Sequence, residues 1–455
     1  MDFLSSIVGS INDVLWSYVL IILLVGCGLW FSARTGFVQI RHMGEMFRLL
    51  GDGSAHKARE GHISTFQAFC VSTASRVGVG NIAGIAIAVV VGGPGAVFWM
   101  WVIAILGAAT GFVESTLAQI YKAPRKGGGY VGGPAYYIGN VLGSPFFAWL
   151  FAVLLAVTYG LIFNSVQSNT IALSLKTSLS ADPWYTGLVI AVLTGLVIFG
   201  GLTRIAKVVG MLVPVMAGAY LLVALIVTVM NITLVPDVLK LIVSSAFSFD
   251  SAMGAGFGLA VMTGVKRGLF SNEAGMGSTP HAHALARVQH PCQQGLVAYV
   301  GLFFDTFIVL NMTALVILVT GSIDGSTTGI ALTQKAFTDG LGAIGPGFVA
   351  VCLFFFAFTT IVGWYFFGEQ NVKYLLGLRW VPSYRVLVLC FLMLGSFLHV
   401  GLVWELADFF NGIMVIPNVI ALLALSGLVT KVLKDYEGKF LVGETPEYGA
   451  LSPSR

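Results

Sequence analysis

Charged side chains are what this chain has least of. They make up 10% of its 455 residues, against roughly a quarter in an ordinary soluble domain. That scarcity excludes a solvated globular surface, and a net charge of +4 spread over such a chain is no footprint for nucleic acid. Cysteine is also scarce. Cys27, Cys70, Cys292, Cys352 and Cys390 lie mostly inside apolar runs without metal-ligand spacing, which excludes a zinc cluster and leaves them as small buried apolar residues. The first apolar run, Val14 to Phe31, follows acidic Asp2 and Asp13 instead of a basic segment, so no cleavable signal peptide is expected.

What the chain has is apolar length. Hydrophobic residues are 57% of it and the mean hydropathy is +0.90. About 20 apolar residues suffice to cross a bilayer as a helix, and eleven such spans are expected, at 14–31, 63–91, 95–120, 147–173, 184–201, 207–230, 251–282, 293–320, 346–372, 385–402 and 406–430. Lys and Arg then orient them, because cytoplasmic loops are the basic ones. With Arg34, Arg41, Arg48, Lys57 and Arg59 inside, eighteen of the 24 Lys and Arg fall on that side. Only Lys176, Lys240 and Lys335 fall outside, and Arg76, Lys266 and Arg267 lie within spans. The expected fold is an all-α polytopic membrane protein, its N-terminus outside and its C-terminus cytoplasmic. The amphipathic segment 36–50 should lie on the cytoplasmic surface, and the helix-like stretch Gly329 to Leu341 is placed to cap an outer entrance. The aromatic residues are expected to face mostly lipid or the interfaces.

Two stretches repeat 191 positions apart. Arg76, Asn81, Ala83 and Gly84 match Arg267, Asn272, Ala274 and Gly275, and at the same offset Phe66, Phe112, Glu114 and Ser115 face Phe257, Phe303, Asp305 and Thr306. Setting the first span aside leaves five plus five, and an odd number per half forces opposite orientation. The division is residues 1–60, an N-terminal helix and surface segment; 61–235, a first five-helix repeat; 236–435, its inverted copy; and 436–455, a tail. Matched interrupted spans in two inverted halves mark a secondary transporter and its binding site. The first and sixth core helices are expected to break at the two stretches.

A helix broken at mid-membrane exposes carbonyls with partial negative charge before the break and N–H groups with partial positive charge after it. Hydrocarbon satisfies neither. The first end suits a cation such as Na+, the second a carboxylate, and a zwitterionic amino acid with a co-bound cation uses both. Arg76 and Arg267 must find a carboxylate, a carbonyl cage or water at this depth, with Glu114, Glu273 and Asp305 as candidate partners. Asn164, Gln167 and Ser168 share a helical face and offer amide groups to a ligand. Thr359 and Thr360 offer hydroxyl oxygens to a hard cation, and Trp364 could wall a small pocket. An enzyme is not expected: His281 and His283 stand two apart and share no helical face, and no Ser/Lys or Ser/His pair lies at depth. Proton coupling through Glu114, Asp305 or Glu273, simple exchange, and a channel are the alternatives.

The runs Gly78-Val79-Gly80-Asn81-Ile82-Ala83-Gly84, Gly92-Gly93-Pro94-Gly95-Ala96-Val97-Phe98-Trp99-Met100-Trp101, Gly132-Gly133-Pro134-Ala135-Tyr136-Tyr137 and Phe270-Ser271-Asn272-Glu273-Ala274-Gly275-Met276-Gly277-Ser278 resemble the prokaryotic alanine or glycine:cation symporter family over nearly the whole chain. The resemblance implies a sodium-coupled carrier of alanine or glycine in a cell inner (plasma) membrane, with the five-plus-five inverted fold of the bacterial leucine transporter. The Val-Gly-Leu-Gly-Asn of that transporter's broken helix corresponds to Val77-Gly78-Val79-Gly80-Asn81. It implies sodium ligands at the carbonyls of Ala74 and Val77 and the hydroxyls of Thr359 and Thr360, with substrate-carboxylate amides around Val79 and Gly80. The expected substrate site is Thr73, Arg76, Gly78, Val79, Gly80, Asn81, Gln167, Phe270, Ser271, Asn272 and Trp364. Na+ is the expected coupling ion, a small neutral amino acid the substrate, and a monomer among membrane lipids the expected working form.

Overall fold

The computed structural model describes residues 2–52, 63–124, 129–143, 145–248 and 256–440. Expected features at Lys57, Arg59, Arg125, Lys126 and Arg455, the boundary at 60–61, the first residues of span 251–282 and the tail beyond 440 lie outside the described residues. The described chain is helical except for its connections, one ribbon of Ala123–Pro124 with Tyr130–Val131, and an isolated bridge from Ile63 to Ala286.

Among the described residues, eight helices are long and apolar enough to cross a membrane, nine if the bent pair Thr65–Arg76 and Gly80–Gly92 is one span. Two of the eleven expected spans are not in that count, for stated reasons. Pro183–Ile198 is apolar but shorter than the others, and the span expected at 251–282 is divided into Phe257–Asn272 and Pro280–Leu285. The surface segment forms the helices Val38–Arg41 and Met43–Asp52. Gly329–Leu341 is a helix, and Thr333 Oγ1 on it donates to Ile82 O at 2.7 Å, seating it over the first broken helix.

Polarity runs inside out. Ile22, Leu196, Val215, Leu222, Met230 and Val386 point outward, while Ser72, Arg76, Asn81, Glu114 and Asp305 are buried. Lipid solvates the apolar side chains, and polar groups must find partners in the interior. The aromatic residues divide differently from expectation: Trp16, Tyr159, Phe163, Tyr220 and Trp364 are among the largest fully buried side chains. They fill the space between helices that close-packed glycines bring together.

The first break forms where expected. Ser64 and Gln67 make a capping box that starts Thr65–Arg76, and Val77 ends it by leaving helical geometry (φ −80°, ψ 87°). The next half-helix, Gly80–Gly92, departs at 44°. The second break is shifted. Register with the first puts it at Arg267–Ser271, but Phe257–Asn272 stays helical through that stretch and unwinding comes at 273–279. Glycine placement decides this. The first stretch has Gly78 and Gly80, whereas the second has only Gly268 before Leu269, Phe270 and Ser271, and its turn waits for Gly275 and Gly277, with φ of +80° and +78°. Phe270, Ser271 and Asn272 therefore lie on the last helical turn, not in unwound backbone.

Candidate substrate and cation site

Three carbonyl oxygens converge on one hydroxyl. Thr360 Oγ1 is 2.7 Å from Ala74 O, 3.2 Å from Val77 O and 2.9 Å from Phe356 O. A hydroxyl has a single proton, so at any instant at least two of these carbonyls lack it. Ala74 and Val77 are at the C-terminal end of the first half-helix, where carbonyls carry partial negative charge. The cluster is electron-rich and made only of hard oxygens, and these residues fit a sodium ion. Thr359 is placed differently. Its hydroxyl bonds to Phe355 O at 3.1 Å and Phe356 O at 3.0 Å on its own helix and faces Met216 Sδ at 3.6 Å. Of the four expected cation ligands, Ala74, Val77 and Thr360 meet directly, and Thr359 reaches them only through the Phe356 carbonyl. Phe356 O was not foreseen, because a backbone carbonyl leaves no mark in sequence.

Beside this cluster four buried aromatic rings pack together. Phe270 stacks obliquely on Phe163 (4.9 Å between centroids) and Trp404 (5.0 Å), and Trp364 touches Phe163 at 5.0 Å and Phe270 at 5.9 Å. Gly80 abuts these rings: a Cβ there would be 3.2 Å from Ser271 Cα and 3.4 Å from Phe270 Cδ1. Gln167 Oε1 accepts from Val79 N at 3.3 Å. The amide nitrogens of Gln167 and Asn272 are buried without a partner among the described residues. Buried amide donors rarely stay unpaired, and a carboxylate is a suitable acceptor. Phe163 and Trp404 were missed. Phe163 was legible in principle, one helical turn before Gln167 on the same face, whereas Trp404 comes from a helix that carries no break. Asn164 and Ser168, expected on the Gln167 face, bond elsewhere, to Gly160 O at 3.1 Å and Leu392 O at 2.7 Å.

The remaining expected residues tie the breaks to the protein. Asn81 accepts from Gly78 N at 3.0 Å and donates to Asp305 Oδ1 at 2.7 Å. Ser271 Oγ is 3.0 Å from both Asp305 carboxylate oxygens. Glu114 accepts from Gly275 N at 3.3 Å, Gly277 N at 3.2 Å and Asn418 Nδ2 at 3.2 Å. Glu114 thus braces the second break, and Asp305 joins the first break to the helix end before the second. Arg76 sits in a cage of neutral acceptors: Asn272 O at 2.9 Å, Ser72 Oγ and Ala298 O at 3.1 Å, and Thr279 Oγ1 at 3.2 Å. No carboxylate among the described residues is within ion-pair distance of it. These contacts run to Ser72 on the same helix, to the second break and to Pro291–Phe303, and none is to the aromatic rings. Thr73 lies on that side too, since a Cβ on Gly301 would be 2.5 Å from Arg76 Nη1 and 3.2 Å from Thr73 Oγ1. Arg267 pairs with none of its expected partners. It and Lys266 share Asp408 Oδ2, at 2.5 and 2.7 Å, and its guanidinium covers Trp404. Among the described residues no cluster of three or more His, Cys, Asp or Glu could hold a metal ion.

The profile described as the sodium:alanine symporter family matches residues 1–450. "Amino-acid carrier protein AlsT" of Bacillus subtilis is 45% identical over 450 residues, covering 99% of this chain and 96% of that one. "Probable sodium/glutamine symporter GlnT" of the same organism is 46% identical over 447 residues, 98% of this chain and 93% of that one. A crystal structure of the Eremococcus coleocola manganese transporter superposes with a TM-score of 0.54 at 10% identity, over 85% of this chain and 89% of that one. At that identity the likeness concerns the fold alone.

Proposed function

We propose, from the premise that this chain belongs to the sodium:alanine symporter family, that it takes up alanine and other small neutral amino acids, glycine included, by coupling them to sodium through alternating access. It is a membrane transporter and not an enzyme. The observation that carries the sodium assignment is the set of carbonyls left over around Thr360 Oγ1. They come from two elements, the first broken helix and Gly345–Leu376. A cation bound there stabilises only the arrangement that holds the two together, and a ligand shifts a conformational equilibrium by its differential affinity for the two states. With Na+ alone the outward-open state is favoured; with Na+ and substrate the aromatic pocket closes over both. The substrate carboxylate takes the unpaired amides of Gln167 and Asn272, and in this reading Phe163, Phe270, Trp364 and Trp404 wall its small apolar side chain.

The architecture we assign has eleven membrane spans, one N-terminal plus two inverted sets of five, with the N-terminus outside and the C-terminus in the cytoplasm. The reciprocal bracing supports it: Glu114 and Asp305, 191 positions apart, each hold the break of the opposite half. Labelled alanine uptake into proteoliposomes tests the reading. Concentrative uptake under an inward Na+ gradient, lost when choline replaces Na+, is the expected result. Equal uptake under a proton gradient without Na+ would transfer the coupling to the buried carboxylates Glu114, Glu273 and Asp305. No uptake by folded protein under any gradient would refute the substrate assignment.

A further inference from the structure

Glu273 is the one residue of the second break whose conformation and side chain are at odds. It follows the last turn of Phe257–Asn272 with φ +57° and ψ 17°, the left-handed geometry at which a helix normally ends in glycine or asparagine. A long side chain carries a strain penalty there, and such outliers persist where the surroundings over-determine them. What the side chain does accounts for the choice. It is fully buried, and its carboxylate meets three donors from three elements. Ser75 Oγ of the first broken helix is 2.9 Å from Oε2, Ser278 Oγ of the second break is 2.8 Å from Oε2, and Trp364 Nε1 of Gly345–Leu376 is 2.5 Å from Oε1. No Lys or Arg among the described residues forms an ion pair with it.

We propose that Glu273 is a positioning residue for substrate size: through the indole N–H it fixes the Trp364 ring as the wall that restricts the pocket to small side chains. Trp364 also meets three aromatic rings, Tyr159 and Phe270 edge-on at 5.5 and 5.9 Å and Phe163 obliquely at 5.0 Å. Those contacts permit sliding, whereas a hydrogen bond to a buried carboxylate has a fixed direction. Without it the indole swings and the pocket widens. This rests on the substrate site proposed above, and it makes size selectivity depend on a residue behind the pocket wall.

The test compares uptake of alanine with that of glutamine, a larger neutral probe, in folded variants. Glu273→Gly suits the backbone, so any change it brings comes from the lost side chain. Glu273→Gln keeps an acceptor for the indole while removing the charge. The alanine-over-glutamine preference in kcat/KM should fall about tenfold in Glu273→Gly, the scale of discrimination a pocket wall provides, and stay within about twofold in Glu273→Gln. In a Trp364→Phe background Glu273→Gly should add less than about twofold, the non-additivity expected of one shared interaction. An unchanged preference in Glu273→Gly, or equal damage by Glu273→Gln, would overturn the proposal; the second would assign the charge itself a role. The Raman difference spectrum between wild type and Trp364→Phe reports the indole N–H bond independently of transport. A free N–H there would overturn the proposal. A bonded N–H in a protein that carries no alanine would instead refute the substrate assignment and leave the Glu273–Trp364 contact standing.

Discussion

Replacing Gly78 with Ala would place a Cβ 2.5 Å from Thr360 Oγ1 and 3.2 Å from Thr360 Cβ and Cγ2. Gly78 has no positive φ, so its backbone accepts alanine and the effect is steric. To regain ordinary contact the hydroxyl must retreat by roughly 0.5–1 Å. It cannot do so and stay 2.7 Å from Ala74 O and 3.2 Å from Val77 O. The methyl group therefore separates the two elements that supply the proposed cation oxygens. Overpacking of this kind costs about 1–3 kcal/mol. At about 1.4 kcal/mol per decade, that converts to a rise of roughly 5- to 150-fold in the Na+ concentration for half-maximal uptake. The assay is a Na+ titration of alanine uptake at saturating alanine, with the monodispersity and unfolding midpoint of the detergent-solubilised protein as the fold control. Thr360→Ala added to Gly78→Ala should bring little further loss, because the hydroxyl is already displaced. A folded Gly78→Ala protein with wild-type Na+ dependence would refute the reasoning and take the Thr360 cluster out of the coupling site.

Three further outcomes are expected. Thr360→Ala should raise the Na+ half-saturation by about tenfold or more, the worth of a hydrogen-bonding group facing a charge, and Thr359→Ala by distinctly less, since its hydroxyl bonds to its own helix; the reverse order in a Na+ titration would exchange their roles. Asp408→Asn leaves Lys266 and Arg267 without the carboxylate they share. Breaking such a buried ion group costs about 3–5 kcal/mol, and a thermal melt in detergent with an unshifted midpoint would show that the pair does not hold the helices. In the outer loop Lys335 Nζ, 2.7 Å from Asp324, and the N–H groups of Thr327 and Ser326 hold the Asp324 carboxyl well below the usual carboxylate range. A depressed pKa in the folded state means the stabilisation is fully present above the unfolded value of about 3.9 and lost progressively as pH falls from there through the folded one. Amide exchange across 321–341 should then hold constant from neutral to about pH 4.5 after correction for intrinsic rates, and Asp324→Asn should raise it throughout; protection falling already near pH 5 would contradict the shift.

Much of this protein is determined by local chemistry and so is legible in sequence. Apolar length fixes the helices, because a bilayer admits little else. The run Arg76 to Asn81 fixes the first break, because two closely spaced glycines and an amide that caps Gly78 act within a few residues. The helix Gly329–Leu341 and the hydroxyl at Thr360 were likewise readable from residue type and spacing. Tertiary structure decided where each polar group turned. The second break moved to Glu273–Thr279 because its own glycines stand later than repeat register suggests. Arg267 went to Asp408, 141 residues away, and Arg76 to backbone carbonyls and hydroxyls, because a buried cation takes the acceptors that packing brings to it, and these are distant in sequence. The same holds for Phe356 O, Trp404 and the Glu273 contact with Trp364. A carbonyl direction, a ring from an unbroken helix and a bond between residues 91 apart exist only once the helices are in place.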